Sequence, residues 1–263
     1  MTREGCLDSQ VLAVANQKGG VGKTTTTLCL GGGLALSGKK VLVLDLDPQA
    51  SATMHLRFYP EELDLTLFDL LEKDEDRWPG VWENLILKGP ELPFDFVPSC
   101  VRLAGLEVDM KDRRAKGELL SRALERVRGD YDYILLDCPP HLGLLQVNAL
   151  IASTLLVIPI QTDFMALNGL KMLFETIRTL NRVRPRPIRY RALATMFDSR
   201  ASACRRVLNL LRKKMGRMLF ETVVHMDTRF REASAQGKVI FQAFPEARGA
   251  NEYMLLTREI LKI

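Results

Sequence analysis

The sequence predicts an α/β protein with a mostly parallel, doubly wound sheet and helices on both faces. Short runs of consecutive apolar residues recur along the chain, as is typical of strands buried on both faces. Helical patterns alternate with these runs, which favours parallel pairing through crossover helices. A glycine-rich loop follows the first run and opens a helix. Ligands are therefore expected where the carboxyl ends of strands meet the amino ends of helices.

The predicted strands are short and bounded by turn residues. In chain order they cover residues 11–16, 40–47, 94–99, 131–140, 154–161, 190–197 and 221–225. One domain is expected over residues 1–263, with an N-terminal tail at 1–9.

A variable acidic insertion is predicted at residues 58–93, between the second and third strands. Its acidic residues flank a Leu/Phe stripe typical of a short amphipathic helix. They are Glu61, Glu62, Asp64, Asp69, Glu72, Asp74, Glu75 and Asp76. A solvated helix and loop is the favoured interpretation, and a docking surface for a basic partner segment is the alternative.

Composition indicates an ordinary globular chain. Its 263 residues are 47% hydrophobic and 26% charged, enough for a full core. The five cysteines are scattered, without metal-ligand spacing, and are interpreted as reduced thiols. No secretory leader is recognised, and no apolar run is long enough to span a membrane. We therefore expect a cytoplasmic protein.

Charge is unevenly distributed along the chain. The whole chain carries +5, but residues 178–231 hold fifteen Lys and Arg against Asp198, Glu221 and Asp227. Such segregation favours a surface that binds a polyanion, although solvated helix faces remain the alternative. "RRVLNLLRKKMGR" and "TRFR" contain the basic residues best placed for phosphate contacts. These candidate DNA contacts are Arg205, Arg206, Arg212, Lys213, Arg229 and Arg231.

The stretch "KGGVGKTT" has the character of a phosphate-binding loop. Glycines let backbone N–H groups approach an anion, and a helix beginning near Lys23 adds the positive end of its dipole. Lys23 is expected to reach the β- and γ-phosphates, and the Thr24 hydroxyl to bind Mg²⁺. The candidate nucleotide contacts are Lys18, Gly19, Gly20, Val21, Gly22, Lys23, Thr24 and Thr25. The loop is unusual in carrying a second lysine, Lys18.

Two other strand ends supply carboxylates. Asp137 ends the strand in "LLDCPP", where it can hold a water bound to Mg²⁺. Asp45 and Asp47 end the strand in "VLDLDPQ", and one of them can orient or deprotonate an attacking water. Each aspartate alone could be an N-cap or a turn residue. Their convergence with a phosphate loop favours a catalytic metal site.

The motifs resemble the ParA/MinD superfamily of deviant Walker A ATPases, and within it the small ParA/Soj-type partitioning proteins. "KGGVGKTT", "DLDPQASAT", "DYDYILLDCPPHLGLLQVNALIAS" and "REASAQGKVIFQAFPEARGANEY" carry the resemblance, which covers nearly the whole chain apart from residues 58–93 and the two ends. It implies a P-loop NTPase fold, ATP and Mg²⁺ as cofactors, and slow, partner-stimulated ATP hydrolysis.

The resemblance also implies roles for individual residues. Lys18 reaches the phosphates of ATP bound by the partner subunit of a homodimer, so that ATP is sandwiched at the interface. Asp47 positions the hydrolytic water, Asp45 supports the metal site, and Thr24 and Asp137 take the Mg²⁺ roles.

Three loop residues receive less specific assignments. The loops around Met196 and His225 line the adenine pocket by the same resemblance. His141, where relatives have a small hydroxyl residue, is interpreted as an exposed loop residue, with γ-phosphate sensing as the alternative.

The favoured function is an ATP-dependent dimer that binds double-stranded DNA without sequence preference and positions a chromosome, plasmid or protein assembly. Its expected partner is a ParB-like or cargo-adaptor protein, and its expected location is the nucleoid. Only ten residues precede the first strand, which leaves no room for a helix-turn-helix there. The alternative is a MinD-like or flagellum-number-type ATPase on the membrane, but "YMLLTREILKI" fits a core helix, so no membrane contact is expected. Scattered cysteines disfavour a metal-cluster reductase.

Overall fold

A parallel sheet organises the computed structural model, which describes residues 9–106, 116–164, 166–182 and 187–263. Its order is β3-β2-β4-β1-β5-β6-β7, and every pairing of named strands is parallel. The strands are β1 (Gln10–Val14), β2 (Val41–Asp45), β3 (Asp95–Val97), β4 (Tyr133–Asp137), β5 (Leu155–Gln161), β6 (Tyr190–Phe197) and β7 (Leu219–His225). The predicted fold class and every predicted strand are confirmed. The N-terminal tail, except Ser9, lies outside the described residues, as do Arg184 and Arg186 of the basic segment.

The helices follow the strands as the crossover pattern requires. They are α1 (Lys23–Leu36), α2 (Ser51–His55), α3 (Leu67–Glu72), α4 (Trp78–Leu85), α5 (Leu119–Leu124), α6 (Leu144–Ala152), α7 (Ala166–Asn181), α8 (Ser202–Met215), α9 (Arg229–Ala235), α10 (Ile240–Ala243) and α11 (Arg248–Ile260). Short 3₁₀ turns occupy Pro60–Glu62, Val101–Gly105, Lys116–Glu118, Arg128–Asp130 and Gly216–Met218. Among the described residues, no helix has the length and apolar character needed to cross a membrane.

Two hydrophobic cores lie on opposite faces of the sheet. Successive β1 residues alternate between them, since Val11 belongs to one core and Leu12 to the other. The second core contains α1 and α11, which pack closely because α1 carries glycines. A Cβ atom at Gly33 would lie 2.3 Å from Thr257 Oγ1 of α11. Alanine at this position would therefore push the two helices apart.

The acidic insertion is more ordered than the sequence predicts. It contains two helices, α3 and α4, instead of one short amphipathic helix. Trp78 and Trp82 are buried, and their indole N–H groups donate to the carbonyls of Leu70 and Ala123. Asp69 closes a capping box with Thr66, whereas most of the other carboxylates face solvent. Both tryptophans belong to the hydrophobic core that contains Val11. Partner docking by the acidic side of the insertion remains a prediction.

Candidate functional site at the carboxyl edge of the sheet

The phosphate loop joins β1 to α1 and is held by side chains of neighbouring strands. Asn16 donates to the Pro159 carbonyl of β5 (2.7 Å) and accepts from the Lys18 amide (3.0 Å). Thr195 of β6 donates to the Val21 carbonyl (2.9 Å). Gly22 has a φ of 89°, which L side chains rarely adopt, and α1 begins at the next residue. The backbone N–H groups and the helix dipole can thus meet at one anion site.

The two loop lysines diverge. Lys23 is only 8% exposed, and its ammonium donates to the Lys18 carbonyl across the loop (3.2 Å). Burial lowers the pKa of Lys23, while the carboxylates of Asp137 and Asp47 oppose that shift. The Lys18 ammonium turns away toward the carboxyl end of β5, where it contacts Asp163 Oδ2 at 2.6 Å and Gln161 Oε1 at 3.3 Å. One cation is enclosed by the loop and the other lies outside it.

Thr24 and Asp137 form a compact group of oxygen atoms beside the loop. The Thr24 hydroxyl donates to Asp137 Oδ2 at 2.7 Å, and Thr27 donates to Oδ1 at 3.1 Å. Burial, followed by the charge of Asp45, raises the pKa of Asp137 to about 8. A hydroxyl and a carboxylate in contact are hard donors that suit Mg²⁺. These two residues therefore fit the predicted metal role.

Asp45 lies beside Asp137 in the β2–β4 register but is engaged by its own chain. Its Oδ2 accepts from the backbone N–H and hydroxyl of Thr53 (2.9 and 2.8 Å), and its Oδ1 accepts from the Asp47 amide (3.0 Å). Burial raises the pKa of Asp45 to about 6. These contacts favour an indirect role, in which Asp45 shapes the loop that carries Asp47.

Asp47 is half-buried and faces a cavity of about 320 Å³ that His141 also lines. Its Oδ1 accepts from the Gln49 amide (3.0 Å), and its carbonyl accepts from the hydroxyl of Ser99 (2.6 Å). His141 is exposed, as its favoured interpretation requires. Sequence reasoning missed Ser99, which follows β3 without any motif and whose contacts with Asp47 and Thr53 are distant in sequence.

Met196 and His225 line one cavity of about 230 Å³, together with Gly22 and Thr25 of the phosphate loop. Met196 has a φ of 51°, a strained value for a residue with a long side chain. The two residues predicted to surround adenine are therefore neighbours beside the phosphate loop, and the identity of the occupant remains a prediction.

Sequence reasoning missed Glu252, which holds the His225 ring from α11. It lies in the helix "RGANEYMLL", where no local signal marks it as part of the site.

The basic residues occupy the surfaces of two helices that follow adjacent strands. In α8, Val207, Leu208 and Leu211 are buried, while the predicted DNA contacts face solvent. The exposed contacts of α8 are Arg205, Arg206, Arg212 and Lys213. The α9 helix after β7 carries Arg229 and Arg231, both exposed, and Arg231 also lines the cavity of His225. Arg231 is thus shared between the basic surface and the cavity.

Comparison with known proteins gives matches over most of the chain. A family model described as an AAA domain matches residues 9–188. The sporulation initiation inhibitor protein Soj of Bacillus subtilis is 38% identical over 252 residues, covering 95% of this chain and 98% of Soj. The chromosome partitioning protein ParA of Caulobacter vibrioides is 36% identical over 255 residues, covering 96% of this chain and 94% of ParA.

A solved structure covers as much of this chain as these relatives do. A crystal structure of cobyrinic acid a,c-diamide synthase from Mycobacterium smegmatis, with a bound ATP analog and magnesium, is 30% identical. It superimposes with a TM-score of 0.80 over 97% of this chain and 94% of that one.

Proposed function

This chain belongs to the ParA/MinD-type ATPases of the AAA domain family, and from that membership we propose that it is a DNA-binding partitioning ATPase that dimerises around ATP. ATP and Mg²⁺ are its cofactors, as the ligands of the Mycobacterium smegmatis structure support. Its cargo is a chromosome, a plasmid or a protein assembly, and a ParB-like or cargo-adaptor protein stimulates its slow hydrolysis.

The phosphate loop and its neighbours divide the chemistry among them. Lys23 and the loop amides bind the phosphates, and Thr24 with Asp137 holds Mg²⁺, which when bound offsets phosphate charge. Asp47 orients the attacking water. Its backbone is held in place for this role, because its amide donates to Asp45 and its carbonyl accepts from Ser99. Water attack at the γ-phosphorus breaks its bond to the bridging oxygen and gives ADP and phosphate.

The opposite orientations of the Lys18 and Lys23 side chains are the observation that best supports the proposed dimer. Lys23 alone suffices to contact nucleotide in its own subunit, because its ammonium is already inside the loop. Lys18 points outward from the same edge of the sheet and can meet the phosphates of a second copy. A triphosphate keeps residual negative charge beside one Mg²⁺, so a cation from each side would stabilise a buried interface.

Exposed apolar side chains on the same edge support pairing with a second copy. Val101, Leu142 and Phe164 follow the carboxyl ends of β3, β4 and β5, and Phe164 is 76% exposed. Aromatic side chains such as Phe164 are enriched in the buried centres of protein–protein interfaces. A sandwich with the nucleotide edge of each subunit inward would cover them.

The basic surface of α8 and α9 supports binding to DNA through its phosphates. Both helices present arginines to solvent, and such contacts carry no base information. Binding should therefore accept any duplex sequence and weaken steeply with salt as counterions are released. If two subunits must present their basic surfaces together, DNA binding would require the ATP-bound dimer. This binding to DNA is also the basis of the expected association with the nucleoid.

Gel shifts with random duplexes, run without nucleotide, with ADP and with a slowly hydrolysed ATP analogue, test the proposal. A salt-sensitive shift that appears only with the ATP analogue is expected. Sedimentation with anionic liposomes runs in parallel. Liposome binding without DNA binding would replace the proposal with the membrane-acting alternative.

A further inference from the structure

The cavity beside the phosphate loop contains a histidine whose orientation is fixed from behind. One Glu252 oxygen, Oε1, lies 2.6 Å from His225 Nδ1, and the other, Oε2, accepts from the His225 backbone N–H at 2.8 Å. Glu252 is only 8% exposed, and Arg248 approaches Oε1 at 3.6 Å. The carboxylate thus holds both the ring and the backbone of His225.

This contact assigns the tautomer of the imidazole. An ionised carboxylate only accepts hydrogen bonds, so His225 Nδ1 must carry a proton. In the neutral ring, the other nitrogen, Nε2, is then an acceptor. Among the described residues, no hydrogen bond to His225 Nε2 is present, so this nitrogen is the polar ring atom left for a ligand.

His225 lines the cavity that begins at Gly22 and Thr25 and extends to Phe230 and Tyr253. Its size, about 230 Å³, and its mixture of apolar walls with a few polar groups suit a flat heterocycle. Phe197 packs its ring against His225 edge-on, with centroids 5.1 Å apart, which further limits rotation of the imidazole. A base seated here meets a fixed acceptor.

We infer that His225, positioned by Glu252, selects adenine over guanine by accepting a hydrogen bond from the exocyclic amino group of the base. Guanine presents a carbonyl oxygen at the corresponding position, so two acceptors would face each other there. Two buried acceptors without a donor cost more binding free energy than one hydrogen bond contributes, so the mismatch disfavours guanine more than the hydrogen bond favours adenine. The inference rests on the proposed nucleotide site and adds to it the residues that choose the base.

Replacing Glu252 with glutamine reverses the hydrogen-bond pattern without changing its shape. The backbone N–H of His225 needs an acceptor, so the amide oxygen must face it and the amide NH₂ must face Nδ1. Nδ1 then becomes the acceptor and Nε2 carries the proton. That ring would donate to the guanine carbonyl and no longer accept from the adenine amine.

The experiment measures the affinities of ATP and GTP for the wild type, Glu252→Gln and His225→Phe by calorimetry near pH 8. Wild type should prefer ATP, and the ATP-to-GTP preference should fall at least about tenfold in both variants. In Glu252→Gln, affinity for GTP itself should rise. Nitrogen-15 NMR of the ring reports the tautomer directly, since the chain has only 3 histidines.

Glu259→Gln is the matched control. Glu259 lies on α11, as Glu252 does, and its carboxylate accepts from the Glu221 and Thr222 amides of β7, the strand that ends at His225. Its preference should equal that of the wild type. Equal ATP and GTP binding by the wild type, or an unchanged ratio in both site variants, would overturn the inference while leaving the nucleotide site intact. No binding of either nucleotide to the wild type would instead remove the proposed function.

Discussion

The Lys18 ammonium lies 2.6 Å from Asp163 Oδ2, so the phosphate loop and the segment after β5 are joined by an ion pair. The two side chains are 29% and 35% exposed. A pair this accessible contributes at most about 1 kcal/mol. If Lys18 must leave Asp163 to reach the nucleotide of a second subunit, the pair opposes dimerisation.

Asp163→Asn should therefore strengthen ATP-dependent dimerisation, by up to about fivefold in dissociation constant. Sedimentation velocity across a range of protein concentrations measures it. Asp198→Asn, which removes a different exposed ion pair with Arg200, is the control and should leave dimerisation unchanged. Weaker dimerisation in Asp163→Asn would mean that Asp163 holds Lys18 in its working position.

Lys18→Ala and Lys23→Ala should separate dimerisation from binding. Lys23→Ala should lose nucleotide affinity on the order of a hundredfold, because it removes the cation inside the loop. Lys18→Ala should bind ATP near the wild-type affinity yet remain monomeric. Calorimetry gives the affinity, and size exclusion with light scattering gives the mass. If Lys18→Ala formed normal ATP-dependent dimers, the proposed contact of Lys18 with the nucleotide of the second subunit would be wrong.

Asp47→Ala and Asp45→Ala should fail in different ways. Asp47→Ala should bind ATP and Mg²⁺ but hydrolyse slowly, which leaves a long-lived dimer. Asp45→Ala should lower the free energy of unfolding by about 1–3 kcal/mol, because the buried Thr53 amide and hydroxyl lose their acceptor. Phosphate release and urea denaturation separate the two. Wild-type turnover in Asp47→Ala would move the water-orienting role to Asp45.

Binding of Mg²⁺ and ATP should release a proton from Asp137. Its raised pKa, about 8, means that the metal-free protein keeps this carboxyl protonated at neutral pH, and a metal ligand must be ionised. Affinity should therefore rise with pH up to about 8 and level off above it. Calorimetry in buffers of different ionisation enthalpy should show release near pH 7 and little above about pH 9. Asp137→Asn should show neither release nor the pH trend.

Charge reversal on the basic surface should remove DNA binding alone. Arg212→Glu with Arg229→Glu should abolish the gel shift while ATP-dependent dimers persist, because both residues are exposed on α8 and α9. Lys39→Glu with Arg126→Glu makes the same charge change at exposed positions near the amino ends of β2 and β4. This control should still bind. Equal loss in both double variants would show that only net charge matters.

The sequence was sufficient for the sheet and for the phosphate loop because both depend on local signals. Uniformly apolar runs mark strands buried on both faces, and each was found within a few residues of its position. Gly22 and Lys23 occur where a strand turns into a helix, so the position of the loop can be predicted locally, although Pro159 and Thr195 of neighbouring strands help to hold it. The acidic insertion was harder to predict, because α3 and α4 depend on burial of Trp78 and Trp82 in a core that includes residues distant in sequence, such as Ala123.

By itself, the sequence determined the strand set, the lysine of the phosphate loop and the aspartates at the strand ends, since each depends on residue type and near spacing. Only the tertiary structure decided which side chains they meet. Lys18 finds Asp163, Asp45 finds Thr53, and His225 finds Glu252 across 145, 8 and 27 residues of chain. The contact between Lys18 and Asp163, which spans the most sequence, depends on the order of the strands. The other two depend on how a loop or a helix packs. No local sequence pattern predicts these contacts, because side-chain hydrogen bonds are set by the final arrangement of the backbone.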